Sequence, residues 1–421
     1  MIDQAVPVRA PQEQTGRTKI MALLMAAIGL VTIEKTTFSF AGTDIIRDLH
    51  LTDKQFGFAG SAFYLCYALS TVLCGWLTAC VGTRRVLTGL ALCWALAQGL
   101  IVLSSTYRGL IYGRVLLGIG VGPAFAVINQ AAFGWYGPDN KTNASSALFC
   151  GTLAGAFIGA ATLPALVADF GWKTGYEIIA LLGLAWALLW GCCGKERGQE
   201  TPGHSAPRAS STGVPLLPLI ASRPFLLMTL VLFVVFAFEA IMFSWAGVYI
   251  QSGLGLRPLA VALSGVVTTV LLIGGVLVMN RWVRRSLAAG RSYRRAAILP
   301  PVLATMLGSS LLIVLWALAV GPVTKIALLV VSNISINIIV GFSAAILVQP
   351  VPEARRGAIL SIQSAVASFG ALVGPFLVGV SIDEASGDIA RGFEQCLAGV
   401  GFVCLLSAFA MLRWGSFAAR D

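Results

Sequence analysis

Glu34-Lys35-Thr36-Thr37-Phe38-Ser39-Phe40-Ala41-Gly42-Thr43-Asp44-Ile45 is the stretch around which the chain is organised. It lies in a long apolar segment, where an ionised side chain is costly. Charges that persist in hydrocarbon usually face a bundle interior and meet one another, water or a ligand. The same pattern returns as Glu239-Ala240-Ile241-Met242-Phe243-Ser244-Trp245-Ala246-Gly247-Val248-Tyr249-Ile250. Glu, Phe, Ser, Ala, Gly and Ile coincide at the same offset, and the aromatic Phe40 is matched by the aromatic Trp245. Each copy falls in the first long apolar run of its half of the chain, so the repeat predicts two structurally equivalent halves.

Working outward, the composition fixes the class. With 57% hydrophobic and only 11% charged residues, the 421-residue chain departs far from a soluble globule, in which about a quarter of residues are charged. About twenty apolar residues make one span, and runs of that kind fall near 19–43, 56–80, 86–105, 110–135, 144–168 and 174–193. Six more fall near 225–250, 259–281, 296–320, 325–349, 357–382 and 392–413. The fold class is an all-α membrane protein, with twelve transmembrane helices in two pseudo-symmetric six-helix bundles. Residues 1–193 form the N-terminal bundle and 224–421 the C-terminal bundle. The segment 194–223, rich in Pro, Ser, Gly and charge, reads as a solvated linker. Parallel halves of this kind are a known transporter architecture, with the ligand site at their interface.

Net charge +11 invites a nucleic-acid reading, but the basic residues sit in short loops between apolar runs. Topology explains them instead. Of the 29 Lys and Arg, twenty fall on the side of the two termini, seven on the other, and Lys35 and Arg114 within spans. By the positive-inside rule both termini are cytoplasmic, and an inner membrane is the expected location. Arg17 and Lys19 precede the first run, which lacks a small-residue cleavage site and reads as an uncleaved span. Most of the nine cysteines lie in apolar runs, and none is spaced as a metal site or disulfide framework. No cofactor is expected.

The loop after the second span, Gly75-Trp76-Leu77-Thr78-Ala79-Cys80-Val81-Gly82-Thr83-Arg84-Arg85, resembles the signature G-x-L-a-D-R-x-G-R-R of the major facilitator superfamily. Ala79 and Cys80 replace its Asp and Arg, while Gly75, Gly82, Arg84 and Arg85 keep its gating-loop pattern. More narrowly, Ser61 to Tyr67, Gly113-Arg114 to Gly118, Pro123 to Phe125 and Gly171-Trp172 resemble the anion:cation symporter family. That resemblance implies proton-driven uptake of small organic anions such as sugar acids and aromatic or dicarboxylic acids. It also implies an acidic-basic pair in span 1, matched by Glu34 and Lys35, and an arginine in span 4, matched by Arg114. Tyr67 fits the family pattern as well. Where some members carry a second proton-handling Glu this chain has Val121, and where an amide often stands in span 11 it has Ser368.

Helical rise places Glu34 and Lys35 roughly 12 to 14 Å, and Arg114 roughly 8 Å, below one end of their spans. These similar depths allow Glu34 to pair with Arg114. Glu239 completes a set of four intramembrane charges that sum to zero. An organic anion beside Lys35 and Arg114 would leave excess negative charge and favour protonation of Glu34 or Glu239. Glu34 and Glu239 are therefore the candidate proton sites, and Lys35 and Arg114 the candidate anion ligands. A structural ion pair is the alternative role for Glu34 and Arg114, snorkelling for Lys35, and internal hydrogen bonding for Glu239. Tyr64 and Tyr67 share a helix face, as do Asn333 and Asn337. These, with Gln130, Gln363 and Ser368, are candidate substrate contacts, although such residues more commonly bond helix to helix.

Gly151, Gly155 and Gly159 predict close helix packing. The partners implied are an organic anion, protons and the bilayer, with function as a monomer. Proton-antiport efflux of a drug or metabolite is the alternative. An enzyme is disfavoured by the lack of H-E-x-x-H, G-x-S-x-G and phosphate-loop motifs.

Overall fold

The computed structural model describes residues 11–136, 141–195 and 216–414. The N-terminal half holds α1 (Pro11–Phe40), α2 (Gly42–Asp48), α3 (Asp53–Val81), α4 (Thr83–Leu103), α5 (Tyr107–Val121), α6 (Ala124–Phe133), α7 (Lys141–Phe170) and α8 (Trp172–Cys193). After the short α9 (Leu216–Ile220), the C-terminal half holds α10 (Arg223–Val248), α11 (Pro258–Ala288), α12 (Leu299–Ala317), α13 (Pro322–Val348), α14 (Glu353–Glu384) and α15 (Ile389–Trp414). Among the described residues, eleven helical segments are long and apolar enough to cross a membrane, and α3, with 29 residues, has the length of a twelfth.

Local chemistry sets the helix ends. Thr52 and Gln55 form a reciprocal capping box at the start of α3, Thr106 caps α5, and Ser222 caps α10 just before Pro224. The apolar run 110–135 is not one helix but two. It breaks at Gly122-Pro123 because proline lacks an N–H and Gly122 lies against the Tyr67 carbonyl, where a side chain would overlap it. Two π-helical turns, Tyr249–Gly253 after α10 and Arg294–Ile298 before α12, extend the seventh and ninth spans.

Each half packs as a bundle, and the halves meet through α1 with α10, α3 with α14, and α7 with α11. The repeat explains the first of these pairs, since its two copies cross each other. The Ser39 hydroxyl accepts from Gly247 N–H at 2.8 Å. A side chain on Gly247 would overlap the Ser39 carbonyl, and one on Gly42 would overlap Val248.

The other inter-half bonds lie at the same end of the molecule, remote from the termini. Ser61 accepts from Phe376 N–H at 3.1 Å, Thr43 and Ser252 are 3.1 Å apart, and Lys54 pairs with Asp383 at 3.1 Å. Phe56 packs edge-on against Trp245, ring centroids 4.8 Å apart. These bonds between the halves all belong to this remote end. The molecule is closed there.

Candidate functional site

Below the closed end lies a cavity of about 460 Å³ whose walls come from both halves. Thr32, Thr36 and Ser39 of α1 and Thr152 of α7 face Glu239 of α10, Ser264, Thr268 and Thr269 of α11, and Asn333 and Asn337 of α13. Phe40, Ala160, Ile250 and Val261 form its apolar part towards the closed end. Most of the hydroxyls donate to carbonyls of their own helices, as Thr268 does to Ser264 at 2.7 Å and Thr32 to Ile28 at 2.9 Å. Their lone pairs are left to accept from a ligand. The Asn337 amide donates to Asn333, so its own carbonyl oxygen is free to accept.

Glu239 is the one ionisable residue in this lining among the described residues. Lys35, outside this lining, supplies an opposite charge that acts on Glu239 across the interface and on its neighbour Glu34. The Lys35 ammonium sits 4.8 Å from the centre of the Tyr67 ring, a cation–π contact. Tyr64, in the adjoining turn of α3, lies within electrostatic reach of Arg114, Glu239 and Tyr67. Lys35, Tyr64, Tyr67, Arg114 and Glu239 therefore form one neighbourhood.

Glu34 and Arg114 do not pair. Arg114 is 2% exposed and lies between two rings, 4.0 Å from Phe38 and 4.6 Å from Phe63, with its Nε donating to the Ala59 carbonyl at 3.3 Å. Tyr64 and Tyr176 are its ionisable neighbours. Glu34, also 2% exposed, turns into the N-terminal bundle, where it faces the Gln98 amide of α4. Neither its two oxygens nor the Gln98 amide atoms close a hydrogen bond. Adjacent residues of a helix point about 100° apart, and that rotation separates Glu34 from Lys35. Gln98 and Tyr176 escape the sequence reading, although a lone amide within an apolar run was the available signal for Gln98.

The remaining candidates scatter. Asn337 lines the cavity; Gln363 is buried on α14 with its amide nitrogen unpartnered; Ser368 donates to the Ser364 carbonyl at 2.7 Å. Gln130 is exposed on α6. In the signature loop, Gly82 adopts φ 91° between α3 and α4, a conformation that favours glycine. Arg84 donates to the Gly191 carbonyl, and Trp190 returns a bond to the Arg84 carbonyl at 3.2 Å, which fixes the loop to the end of α8. Arg85 is exposed. Gly75 belongs to α3, but its surroundings lie outside the described residues. Gly151 and Gly155 pack against α1, where added side chains would meet the Met25 and Gly29 carbonyls. In the Gly171-Trp172 pair, Gly171 has φ 84° and the Trp172 indole donates to Asp48 at 2.9 Å.

Two helical bundles around a shared cavity, sealed at one end, define a membrane transporter of the two-bundle class. Comparison with known proteins makes the class definite. The chain belongs to the Major Facilitator Superfamily, whose family model it matches over residues 23–375; it is a secondary transporter and not an enzyme. Among its relatives is the hexuronate transporter of Bacillus subtilis (strain 168), 25% identical over 410 residues, which are 94% of this chain and 93% of that protein. A probable sulfoacetate transporter, SauU, of Cupriavidus necator is 28% identical over 174 residues, 41% of this chain and 40% of that one. The fold matches a bacterial homologue of the human lysosomal transporter Spinster in an inward-facing, occupied conformation, with TM-score 0.78, 16% identity and coverage of 94% and 96%. It also matches the nucleoside transporter NupG, with TM-score 0.72, 11% identity and coverage of 96% and 100%.

Proposed function

We propose that the protein takes up a small organic anion together with protons, by alternating access between its two bundles. One observation carries this reading: Glu239 lines the cavity between the halves, and Lys35, which lies against Tyr67 outside that lining, acts electrostatically on both Glu239 and Glu34. An anion held by Lys35 competes with both carboxyls for its charge, which favours their protonation and couples anion to proton. The names of the hexuronate and sulfoacetate relatives support an organic anion as substrate. Arg114, buried without a carboxylate partner among the described residues, holds positive potential behind Tyr64 and Phe63. Tyr64, Tyr67 and Asn337 contact substrate in this reading, and Gln130, Gln363 and Ser368 act in other states of the cycle.

With both termini cytoplasmic and the protein in an inner membrane, the closed end is the outer one and the conformation is inward-facing. Gly75, Gly82, Arg84 and Arg85 then form the cytoplasmic loop that moves with α8. A monomer suffices, because one chain supplies both halves of the cavity.

The test is uptake into proteoliposomes under an imposed pH gradient, preceded by a thermal-stability screen of sugar acids, aromatic acids, dicarboxylates, and neutral and cationic compounds. Binding to the folded state raises the melting temperature by mass action. An anion that stabilises the protein, is accumulated with protons, and loses both effects in Lys35→Ala supports the reading. Stabilisation by cationic or apolar compounds alone refutes it in favour of efflux.

A further inference from the structure

The end of the C-terminal half nearest the termini carries a feature that transport does not use. α10 begins at Arg223, α15 ends in Arg413 and Trp414, and between these two helix ends lies a groove of about 310 Å³ lined by Arg223, Leu226, Leu227 and Trp414. Arg413 and Arg294 are not in its lining but stand at the end of α15 that borders it, where Arg294 donates to the Leu412 carbonyl at 2.9 Å. Among the described residues, none of these three arginines has a carboxylate within ion-pair distance. Leu226 and Trp414 are 53% and 55% exposed.

The groove therefore has one guanidinium in its wall, two more at the bordering helix end, and apolar side chains beside them. The first turn of one span and the last turn of another sit at the boundary between headgroups and hydrocarbon, where Trp and Arg are the usual residues. A guanidinium presents a planar fork of donors that matches phosphate oxygens. A soluble anion would satisfy the arginines and leave the leucines and indole bare, whereas an amphiphile with an anionic head satisfies both. Basic pockets between membrane helices recognise anionic headgroups by this combination.

We propose that this groove binds an anionic phospholipid of the adjoining leaflet. Its phosphate lies among Arg223, Arg294 and Arg413, and an acyl chain covers Leu226, Leu227 and Trp414. The bound lipid ties the first and last spans of the C-terminal bundle together at the end nearest the termini.

The experiment uses the full chain in a neutral detergent. Melting temperature is followed against phosphatidylglycerol, phosphatidylcholine with the same acyl chains, and inorganic phosphate, and native mass spectrometry counts retained lipid. Phosphatidylglycerol is expected to stabilise the protein and to be retained, with at least a tenfold higher concentration needed in the Arg223→Gln/Arg413→Gln double variant. An Arg281→Gln/Arg284→Gln control, altered elsewhere on the basic surface, should respond as the parent. Equal stabilisation by phosphatidylcholine, an unchanged response in the double variant, or the full effect from inorganic phosphate alone overturns the proposal. Should the double variant fail to fold, Arg223→Gln alone is read by lipid retention, and unchanged retention counts against it. Substrate plays no part in these measurements, so their outcome is independent of the transport reading.

Discussion

Gly57→Ala tests whether the closed end is a steric latch. Gly57 lies on α3 against α14, and a Cβ built there would stand 2.6 Å from the Pro375 carbonyl oxygen and 3.3 Å from the Phe376 Cα. Carbon-to-oxygen approaches at helix interfaces run about 3.3–3.6 Å, so the helices must part by about 0.7 Å or more. The obstructing atoms are backbone atoms of a helix that continues through Pro375, so no side-chain rotation relieves the clash. Overpacking of this kind costs about 1–3 kcal/mol, and because α3 and α14 belong to different halves the cost falls on the closed state. A difference of that size shifts a two-state equilibrium by roughly 5- to 150-fold. Spin labels at positions 54 and 383, in a cysteine-free background, should show the longer inter-half distance gaining population while the bundles stay folded. An unchanged distance distribution, or loss of helical content in place of a shift, would refute the latch.

Other predictions follow from the same geometry. Charge reversal of Lys54 or Asp383 should weaken closure at the remote end and the double swap restore it, an effect of about 0.2–1 kcal/mol because the pair is partly exposed; spin labels at positions 43 and 252, another inter-half pair at that end, read it. Lys325→Met should destabilise the C-terminal bundle by about 3–5 kcal/mol, since it strands Glu394 with only the Tyr249 hydroxyl, 2.7 Å away, as partner. Lys325→Met/Glu394→Gln should recover most of that loss in a chemical-denaturation comparison. Arg114→Met should cost about 0.5–2 kcal/mol from the lost contacts with Phe38 and Phe63, and should remove anion-dependent stabilisation while helical content is kept.

The spans were legible because the bilayer enforces a length and an apolar composition that few other environments demand. The break at Gly122-Pro123 was not, since apolarity runs through it unbroken; only the glycine-proline pair marks it. The repeat was legible as a match between residues. That its Ser and Gly make the two copies cross each other needed the structure, because a glycine kept for close approach looks like any other glycine. Helical rise placed Glu34 and Arg114 at similar depth and so allowed them to pair. Depth, however, is fixed by position along a helix and partnership by rotation about it. Phe38, one turn after Glu34, occupies the face of Arg114 instead.

That rotation breaks the symmetry of the repeat where chemistry needs it broken. Glu34 and Glu239 are the same position in the two copies, yet Glu239 lines the cavity and Glu34 faces Gln98 inside its own bundle. The next residue differs too, Lys35 in one copy and Ala240 in the other, so a single cation serves both carboxyls. If Lys35 links them, the two protonation events are not independent. Lys35→Gln, Glu34→Gln and Glu239→Gln are expected each to abolish accumulation driven by a pH gradient. Anion-dependent stabilisation should fall in Lys35→Gln and survive in both glutamate variants, because an amide mimics the protonated carboxyl that accompanies bound anion. In Lys35→Gln/Glu239→Gln the loss of stabilisation should be no greater than in Lys35→Gln alone. Were either glutamate variant alone to lose the anion-dependent stabilisation, or the double variant to lose more than Lys35→Gln alone, coupling through a shared cation would have to be abandoned.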